Sequence, residues 1–374
     1  MISIDDYAAS FSEEPGFLNF ASAGPIGDTV AAENLAMTEL LRGGRFGSFG
    51  VFEEQESRVR EAVSAATGFS ADNVIFQPNT SQGAMHTMFG LTGAVALSPA
   101  EFPSLTFAAT RASEALHAVE VQWLQTDDGR ITPGNLRDQL TTSTTAVAVS
   151  LVDFRTGYLV DLEGIRQVIG DRLLIVDAIQ GFGVVEAPYE AADVVFSGGQ
   201  KWVRSGWGTG FLAMNDRALE RLTPVISGFT GTDVDGMPLD AVQPPSSGIN
   251  AYSVSHPDPI AQARFASALE EMLETGIPSI RDAIIDRTGR IIDLADEFGI
   301  PVTSSRSLNE RAGIVVVEPD ADQLTVLAAS LHNHGVSVTT RGGSVRISAH
   351  ASTTEESMEM LRASFLGFAS AITV

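Results

Sequence analysis

The chain has 374 residues, of which 44% are hydrophobic and 19% are charged, a balance typical of a globular enzyme and not of a disordered chain. Its formal net charge of −24 argues against nucleic acid as a partner, because no broad positive surface is available to replace phosphate counterions. The absence of cysteine excludes disulfides, thiolate metal sites and a cysteine nucleophile, and we expect no metal site.

Neither a membrane span nor a secretory signal is expected. No apolar run is long enough to cross a bilayer. The first residues, MISIDDYAAS, lack both the basic segment and the apolar core that a signal peptide needs. The sequence therefore predicts a cytoplasmic location.

Short apolar runs alternate with longer amphipathic stretches as far as about residue 215. This alternation predicts strands joined by crossover helices, and therefore an α/β fold built on a mostly parallel, seven-stranded sheet. The predicted strands cover residues 73–77, 94–97, 119–123, 145–152, 173–176, 194–197 and 210–214. The helices between them include 80–91, 105–118 and 162–169.

The remainder of the chain predicts a second, smaller domain. Residues 228–248 are rich in Gly, Pro, Ser and Asp and predict a long irregular loop, a kind of segment that is often functional. An α+β pattern follows, with helices predicted at 259–275, 280–298, 320–334 and 357–369 and strands at 313–317, 336–340 and 344–348. We expect a large domain over 16–250 and a small domain over 251–374, with residues 1–15 packed on the small one.

Lys201 is the only lysine in the chain, and all other members of the Lys+Arg total of 23 are arginine. An arginine guanidinium stays protonated and is not a nucleophile, whereas a lysine amine can form a Schiff base. Composition alone does not separate this interpretation from a coding bias that happened to spare one lysine. The residues around Lys201 favour the chemical interpretation.

Asp177 and Lys201 are predicted to meet at one edge of the sheet. Asp177 follows the strand at 173–176, and Lys201 follows the next strand within the segment SGGQKW. Open α/β sheets bind ligands at the carboxyl ends of their strands. Pyridoxal phosphate chemistry requires an amine that holds the cofactor and a carboxylate that keeps its ring nitrogen protonated.

A phosphate group also needs donors, and the sequence offers a place for it. Asn79, Thr80 and Ser81 stand between a predicted strand and a predicted helix. Backbone amides at the beginning of a helix, with hydroxyl groups beside them, bind an anion without any cation. The three residues are therefore candidate phosphate ligands, although Thr80 and Ser81 are also ordinary helix-capping residues.

The chain resembles the class V aminotransferases of fold type I, the broad family that also contains cysteine desulfurases, kynureninases and related C–S lyases. The resemblance extends from FLNFASAGP at 17–25 to VRISAH at 345–350, and it is most specific in DAIQ at 177–180 and in SGGQKW. It implies pyridoxal 5'-phosphate as the cofactor, a small-molecule amino acid as the substrate, and a homodimer with active sites near the subunit interface.

The resemblance also implies roles for individual residues around the cofactor ring. Lys201 would form the internal aldimine and move protons, and Asp177 would pair with the pyridinium nitrogen. Gln180 would bond to the phenolic oxygen, and Asp153, in the segment SLVDFRTG, is a second candidate near that oxygen. Phe102, in the segment EFPS, would stack on the ring, although a plain core position is equally compatible with its type.

Phosphate and substrate ligands follow from the same resemblance. Thr80, Ser197 and Gln200 would bind the phosphate, with Ser255 contributed by the neighbouring subunit; Gln200 stands where many relatives have His, and an amide can still donate. Arg346, in VRIS, would clamp the substrate α-carboxylate through its planar fork, and Arg341 is the rival for that task.

Several reactions share this set of residues. Cysteine desulfuration as normally run is excluded, because it needs a mobile cysteine that carries the persulfide. Transamination is the first interpretation, because general membership of the family favours it. C–S or Cβ elimination is the second, because EFPS resembles a kynureninase-type segment. A non-catalytic protein that binds pyridoxal phosphate or an amino acid is a third. It is disfavoured because such proteins generally carry a DNA-binding domain, and no basic helix-turn-helix segment is visible here.

Overall fold

The structure, a computed structural model, describes residues 1–234, 236 and 240–372. Within these residues it contains a seven-stranded sheet and a three-stranded sheet. The strands of the large sheet are β1 (Val74–Phe76), β2 (Gly93–Leu97), β3 (Val119–Trp123), β4 (Thr144–Ser150), β5 (Leu173–Asp177), β6 (Val194–Gly198) and β7 (Gly210–Met214). Those of the small sheet are β8 (Ile314–Val317), β9 (Thr339–Arg341) and β10 (Ser344–Ser348).

The helices cover the two sheets and join their strands. They are α1 (Ile4–Ala9), α2 (Asp28–Gly43), α3 (Ser48–Glu53), α4 (Gln55–Thr67), α5 (Thr80–Gly90), α6 (Pro103–Leu116), α7 (Pro133–Arg137), α8 (Leu162–Ile169), α9 (Asp216–Arg221), α10 (Pro259–Thr275), α11 (Ile277–Glu297), α12 (Leu324–Asn333) and α13 (Glu355–Ile372). Among the residues described, no helix has both the length and the apolar character that crossing a membrane requires.

The large sheet has the strand order β1-β7-β6-β5-β4-β2-β3, in which only β7 runs against its neighbours. The prediction of a mostly parallel seven-stranded sheet is therefore confirmed. Its central strands are buried on both faces, which explains why they read as continuous apolar runs. In β5, Leu174 and Val176 enter one apolar core while Leu173 and Ile175 enter the core on the opposite face.

The small sheet is antiparallel, in the order β8-β10-β9, and packs with α11, α12 and α13 around a third apolar core. Leu18 joins this core, because the N-terminal segment pairs with residue Ser337. That pairing also explains why β9 begins at Thr339 and not at the predicted residue 336. The backbone N–H of Ser337 is already bonded to the carbonyl oxygen of Gly16.

Helix α1 packs against α10 and α11, while Tyr7 on α1 reaches the core of the large sheet. Helix α10 also supplies apolar side chains to that core. The domain boundary at residue 250 stays a prediction. Of the loop predicted over 228–248, residues 235 and 237–239 lie outside the described residues, and the rest carries one short 3₁₀ turn at Phe229–Gly231.

Candidate active site

A cavity of about 350 Å³ lies at the carboxyl edge of the large sheet, beyond the ends of β1, β2 and β6. Eight residues predicted from the sequence line it together. These are Asn79, Thr80, Ser81, Phe102, Gln200, Lys201, Arg341 and Arg346. The ends of β1, β2 and β6 bring six of them together, as the rule for open α/β sheets predicts, whereas Arg341 and Arg346 come from the antiparallel small sheet.

Lys201 lies in the wall of this cavity, three residues after the end of β6, and its side chain is buried. Burial lowers the pKa of the amine to about 8; Asp177 opposes this shift, while Arg346 and Arg341 add to it. The Nζ atom lies 5.3 Å from the centre of the Phe102 ring. A lysine with this pKa has about a tenth of its amine in the unprotonated, nucleophilic form at pH 7, far more than an ordinary lysine.

Asp177 ends β5 and is buried; it does not line the cavity, but its charge acts on the amine of Lys201. Its Oδ1 accepts a hydrogen bond of 3.0 Å from the backbone N–H of Ile179, whereas the buried Oδ2 has no partner among the described residues. Burial raises the pKa of the carboxyl to about 6, against the N–H of Ile179 and the charge of Lys201. A buried oxygen without a donor is costly, so its position fits a ligand N–H.

The beginning of α5 forms the candidate phosphate site. Asn79 caps this helix, with its side chain accepting a 2.9 Å hydrogen bond from the N–H of Gln82. The buried Oγ1 of Thr80 has no partner among the described residues. A Cβ atom on Gly198 would collide with Oε1 of Gln200 and lie 3.0 Å from that Oγ1, so glycine lets both side chains keep these positions.

These observations fit pyridoxal phosphate. The cavity offers an amine for its aldehyde and, for its phosphate, a helix beginning whose Thr80 hydroxyl has no partner among the described residues. Asp177, which interacts with that amine, has a carboxylate oxygen without a partner in the described part of the chain, as a ring nitrogen would require. Ser81 adds a hydroxyl beside that helix end, bonded at 2.7 Å to Ser104.

Besides Asp177, four predicted cofactor ligands do not line the cavity, and each of these four has protein partners. The amide of Gln180 donates to the carbonyl of Ala21 at 3.0 Å and accepts from Nε1 of Trp202 at 2.9 Å. The Oγ of Ser197 donates to the carbonyl of Gly198 at 3.1 Å. Their roles toward a cofactor stay predictions.

Asp153 and Ser255 do not line the cavity either. The carboxylate of Asp153 accepts hydrogen bonds from the N–H groups of Arg155 and Thr156, and it pairs with the Arg155 guanidinium at 3.1 Å. It therefore stabilises the turn after β4. The Oγ of Ser255 bonds to Oγ1 of Thr230 at 3.1 Å, next to the irregular loop.

The two candidate carboxylate ligands differ in how firmly they are held. Arg346 on β10 is buried and donates to the carbonyl of Phe154 at 3.0 Å and to Oγ of Ser22 at 2.8 Å, while its Nε has no partner among the described residues. Burial, helped by the charge of Arg341, lowers the pKa of Arg346 to about 10, which still leaves it cationic at neutral pH. Arg341 on β9 is exposed.

Sequence reasoning missed several residues of the site. Ala21, Ser22, Ser104 and Ile179 also line the cavity. Ser22 orients Arg346, and its place in the segment that follows FLNF was the available signal, since that segment carries part of the resemblance.

Glu101 was also missed as a site residue, although it directly precedes Phe102. Its carboxylate accepts hydrogen bonds from the N–H and the Oγ of Ser150, the strand neighbour of Asp177. Burial raises the pKa of Glu101 to about 7, against these two hydrogen bonds. A second carboxyl group, partly buried, therefore lies near Asp177.

With this geometry established, the class of the protein follows from comparison. The aminotransferase class-V family matches residues 49–372, and the chain belongs to this family. It is a pyridoxal phosphate-dependent enzyme of fold type I that acts on amino acids. The predicted family, fold and cofactor are therefore confirmed.

Individual relatives add detail. The chain is similar to a probable hercynylcysteine sulfoxide lyase of Mycobacterium tuberculosis (strain CDC 1551 / Oshkosh), with 27% identity over 327 residues, or 80% of this chain and 76% of the relative. Two solved structures concern C-DES. A variant with glycine covalently linked to the PLP cofactor has a TM-score of 0.84 at 16% identity, covering 94% of this chain and 96% of that one. The complex of the cystine C–S lyase C-DES with cysteine persulfide has a TM-score of 0.83 at 18% identity, covering 94% and 97%.

Proposed function

We propose that Lys201 binds pyridoxal phosphate covalently and then removes the α-proton of an amino acid substrate, with transamination as the reaction. The observation that carries this proposal is the pairing of a buried amine, whose pKa is about 8, with a buried carboxylate whose Oδ2 has no partner among the described residues. When bound, the cofactor supplies an aldehyde for the amine and a ring that accepts electrons from Cα.

The residues of the cavity have distinct tasks in this proposal. Asp177 accepts a hydrogen bond from the ring nitrogen and keeps it protonated. Thr80 and Gln200, with the backbone amides at the beginning of α5, hold the phosphate. Phe102 lies against the ring, since its own ring already faces the Lys201 amine. The other predicted cofactor ligands remain proposals. They are Gln180 and Asp153 near the phenolic oxygen, and Asn79, Ser81 and Ser197 near the phosphate.

Arg346 fixes the substrate by its α-carboxylate. Its guanidinium is oriented by Phe154 and Ser22, and its Nε–H remains for the ligand. A substrate held in this way presents its α-proton to the Lys201 amine. Lys201 must be unprotonated to accept that proton, and burial together with the nearby arginines favours the unprotonated form.

Elimination at a C–S bond is the second candidate reaction. It is favoured by the relative named as a sulfoxide lyase and by the fold neighbour C-DES, named as a cystine C–S lyase. Elimination uses the same proton removal by Lys201, followed by departure of a sulfur group from Cβ. The holoenzyme should therefore be mixed with an S-substituted cysteine sulfoxide and, separately, with alanine, aspartate and glutamate. Pyruvate and ammonia from the first identify a lyase, whereas a pyridoxamine-type absorbance with any of the other three identifies a transaminase.

The attachment of the cofactor to Lys201 can be tested directly because the chain has only one lysine. Borohydride reduction followed by peptide mapping should place the cofactor on Lys201. A matched control is the double variant Lys201→Arg with Arg111→Lys, which keeps one lysine but moves it to an exposed helix position. We expect no trapped cofactor there. Trapping at position 111 of this control, or none on wild-type Lys201, would overturn the proposal.

We also propose that the protein is a cytoplasmic homodimer. Ser255 does not line the cavity of its own chain, as expected of a residue that completes the site of a neighbouring subunit. Large apolar side chains at Phe46, Phe49 and Trp207 are exposed in the single chain and would be covered by association. Light scattering of the purified holoenzyme gives its mass. A monomeric mass at micromolar concentration would refute the dimer.

A further inference from the structure

Two neighbouring cavities share the side chains of Arg341 and Arg346. The first is the cavity that contains Lys201, and the second has a volume of about 230 Å³ and is also lined by Phe154 and Arg155. None of the described residues that line either cavity is Asp or Glu. The space beyond Lys201 is therefore bordered by cations in a chain whose formal net charge is −24.

The three arginines differ in whether their charge is matched. Arg155 forms an ion pair with Asp153 at 3.1 Å. Arg346 is held by neutral groups, a backbone carbonyl and hydroxyls. Arg341 makes no hydrogen bond or salt bridge through its guanidinium to any residue in the described part of the chain, and the guanidinium carbon lies over the Phe154 ring, 5.8 Å from its centre. Two of the three cations therefore lack a carboxylate.

The anions required by the proposed function neutralise only one of these two arginines. The substrate α-carboxylate occupies Arg346, which is the buried and oriented member of the pair. The cofactor phosphate lies at the beginning of α5 near Thr80, on large-sheet elements, whereas Arg341 belongs to β9 of the small sheet. Arg341 is left in contact with both cavities, without an anion of its own.

We propose that Arg341 is a specificity-determining residue that binds a second oxyanion at the far end of the substrate side chain. The substrates are then amino acids that carry another carboxylate or a comparable oxyanion, with the side chain extending from the Lys201 cavity toward the second cavity. This inference rests on the proposed function, because the α-carboxylate must occupy Arg346. Phe154 forms the apolar surface along which the side chain extends.

The test is equilibrium binding to the holoenzyme, measured by calorimetry. The probes are malonate, succinate, glutarate and adipate, each compared with the monocarboxylate of equal chain length; none has an amine, so none reacts. For at least one length, the dicarboxylate should bind about tenfold more tightly, the effect of one charge-assisted contact. In Arg341→Gln, the ratio of the two dissociation constants should fall to near one.

Arg111→Gln is the matched control, because it removes one positive charge at an exposed helix position that forms a salt bridge with Glu114. It should retain the preference. The inference is overturned if wild type shows no preference at any length, as it would if a partner subunit's carboxylate already neutralised Arg341. It is also overturned if Arg341→Gln keeps the preference, or if Arg111→Gln loses it too. Borohydride trapping at Lys201 on the same samples tests the proposed function separately, so the two failures are distinguishable.

Discussion

Asp177 and Lys201 form an electrostatic pair at the edge of the large sheet, one at the end of β5 and the other just beyond β6, its parallel neighbour. Burial raises the pKa of Asp177 to about 6 and lowers that of Lys201 to about 8, and the attraction between the two groups opposes both shifts. The cofactor-free protein therefore already contains a lysine amine whose basicity depends on one carboxylate.

Replacing Asp177 by Asn should lower the pKa of Lys201 below about 8, because the ammonium form loses its stabilising negative neighbour. Reductive ¹³C-methylation of the apoprotein labels this single lysine and the N-terminus, so an NMR titration reports the pKa directly. Glu114→Gln, at an exposed position, is the control and should leave the titration unchanged. An unchanged titration in Asp177→Asn would refute the pairing.

Thr80→Val should weaken binding of pyridoxal phosphate by about 10- to 100-fold, the loss of one hydrogen bond to a charged group. The apoprotein should keep its stability, since the buried Oγ1 of Thr80 has no partner among the described residues. The measurement is cofactor affinity from absorbance titration, compared with stability in urea.

Two comparisons make this test specific for phosphate. Pyridoxal without the phosphate should bind wild type and Thr80→Val equally. Thr87→Val changes the same kind of side chain on the same helix, but its Oγ1 bonds to the Gly83 carbonyl at 2.8 Å, and it should leave the affinity unaltered. Equal losses for both forms of the cofactor would place Thr80 away from the phosphate.

Much of the site was predictable because parallel strands deliver residues to one edge. Asp177, Lys201 and Thr80 each follow a buried apolar strand, so their convergence required only the strand order of an α/β sheet. The hydrogen-bond partners of individual side chains could not be predicted in this way. The sequence does not reveal that Asp153 satisfies the turn that follows it, nor that Ser197 bonds to an adjacent carbonyl.

The contrast between the two arginines also required the structure. Arg346 and Arg341 are close in sequence, and the sequence names Arg346 as the ligand of the α-carboxylate with Arg341 as its rival, without showing how their surroundings differ. Arg346 is buried because β10 is the central strand of the small sheet, whereas β9 is its edge and leaves Arg341 exposed. The start of β9 itself depends on pairing of Ser337 with the distant N-terminal segment, which no local pattern predicts.

Glu101 should make stability depend on pH. Its pKa is about 7 in the folded chain against an ordinary value of 4.5, because burial disfavours the charged form. The folded state therefore retains a proton that the unfolded state releases. The resulting stabilisation is complete below pH 4.5 and is lost as the pH rises through 7. The full effect is about 3 kcal/mol.

Glu101→Gln cannot ionise and should remove this dependence. The unfolding free energies of wild type and variant are measured in urea at about pH 4.5 and about pH 8. The stability of the variant relative to wild type should be greater at the higher pH, because only wild type loses the contribution of a protonated Glu101. Glu114→Gln, on the exposed surface, should follow wild type at both pH values. If the difference between wild type and Glu101→Gln does not change with pH, Glu101 titrates at its ordinary value.

Arg204, which follows Lys201 closely in the chain, connects three parts of the fold. Its fully buried guanidinium pairs with Glu13 at 2.5 Å, donates to Oγ of Ser352 at 2.7 Å and donates to the carbonyl of Pro25. Burial lowers the pKa of Arg204, and Glu13 opposes that shift. Removing the carboxylate would leave a buried cation without a counter-charge, a change that costs about 3–5 kcal/mol.

Glu13→Gln should therefore lower the unfolding free energy in urea by about 3 kcal/mol, whereas Glu186→Gln, which breaks the exposed pair with Arg281, should cost less than about 1 kcal/mol. The double variant Glu13→Gln with Arg204→Met separates the ion pair from simple packing. Since the cost comes from an uncompensated charge, removing that charge as well should restore much of the stability. The double variant could instead be less stable than Glu13→Gln alone. In that case the N-terminal segment is held by the hydrogen bonds of Arg204 to Ser352 and Pro25, and not by the balance of charge between Arg204 and Glu13.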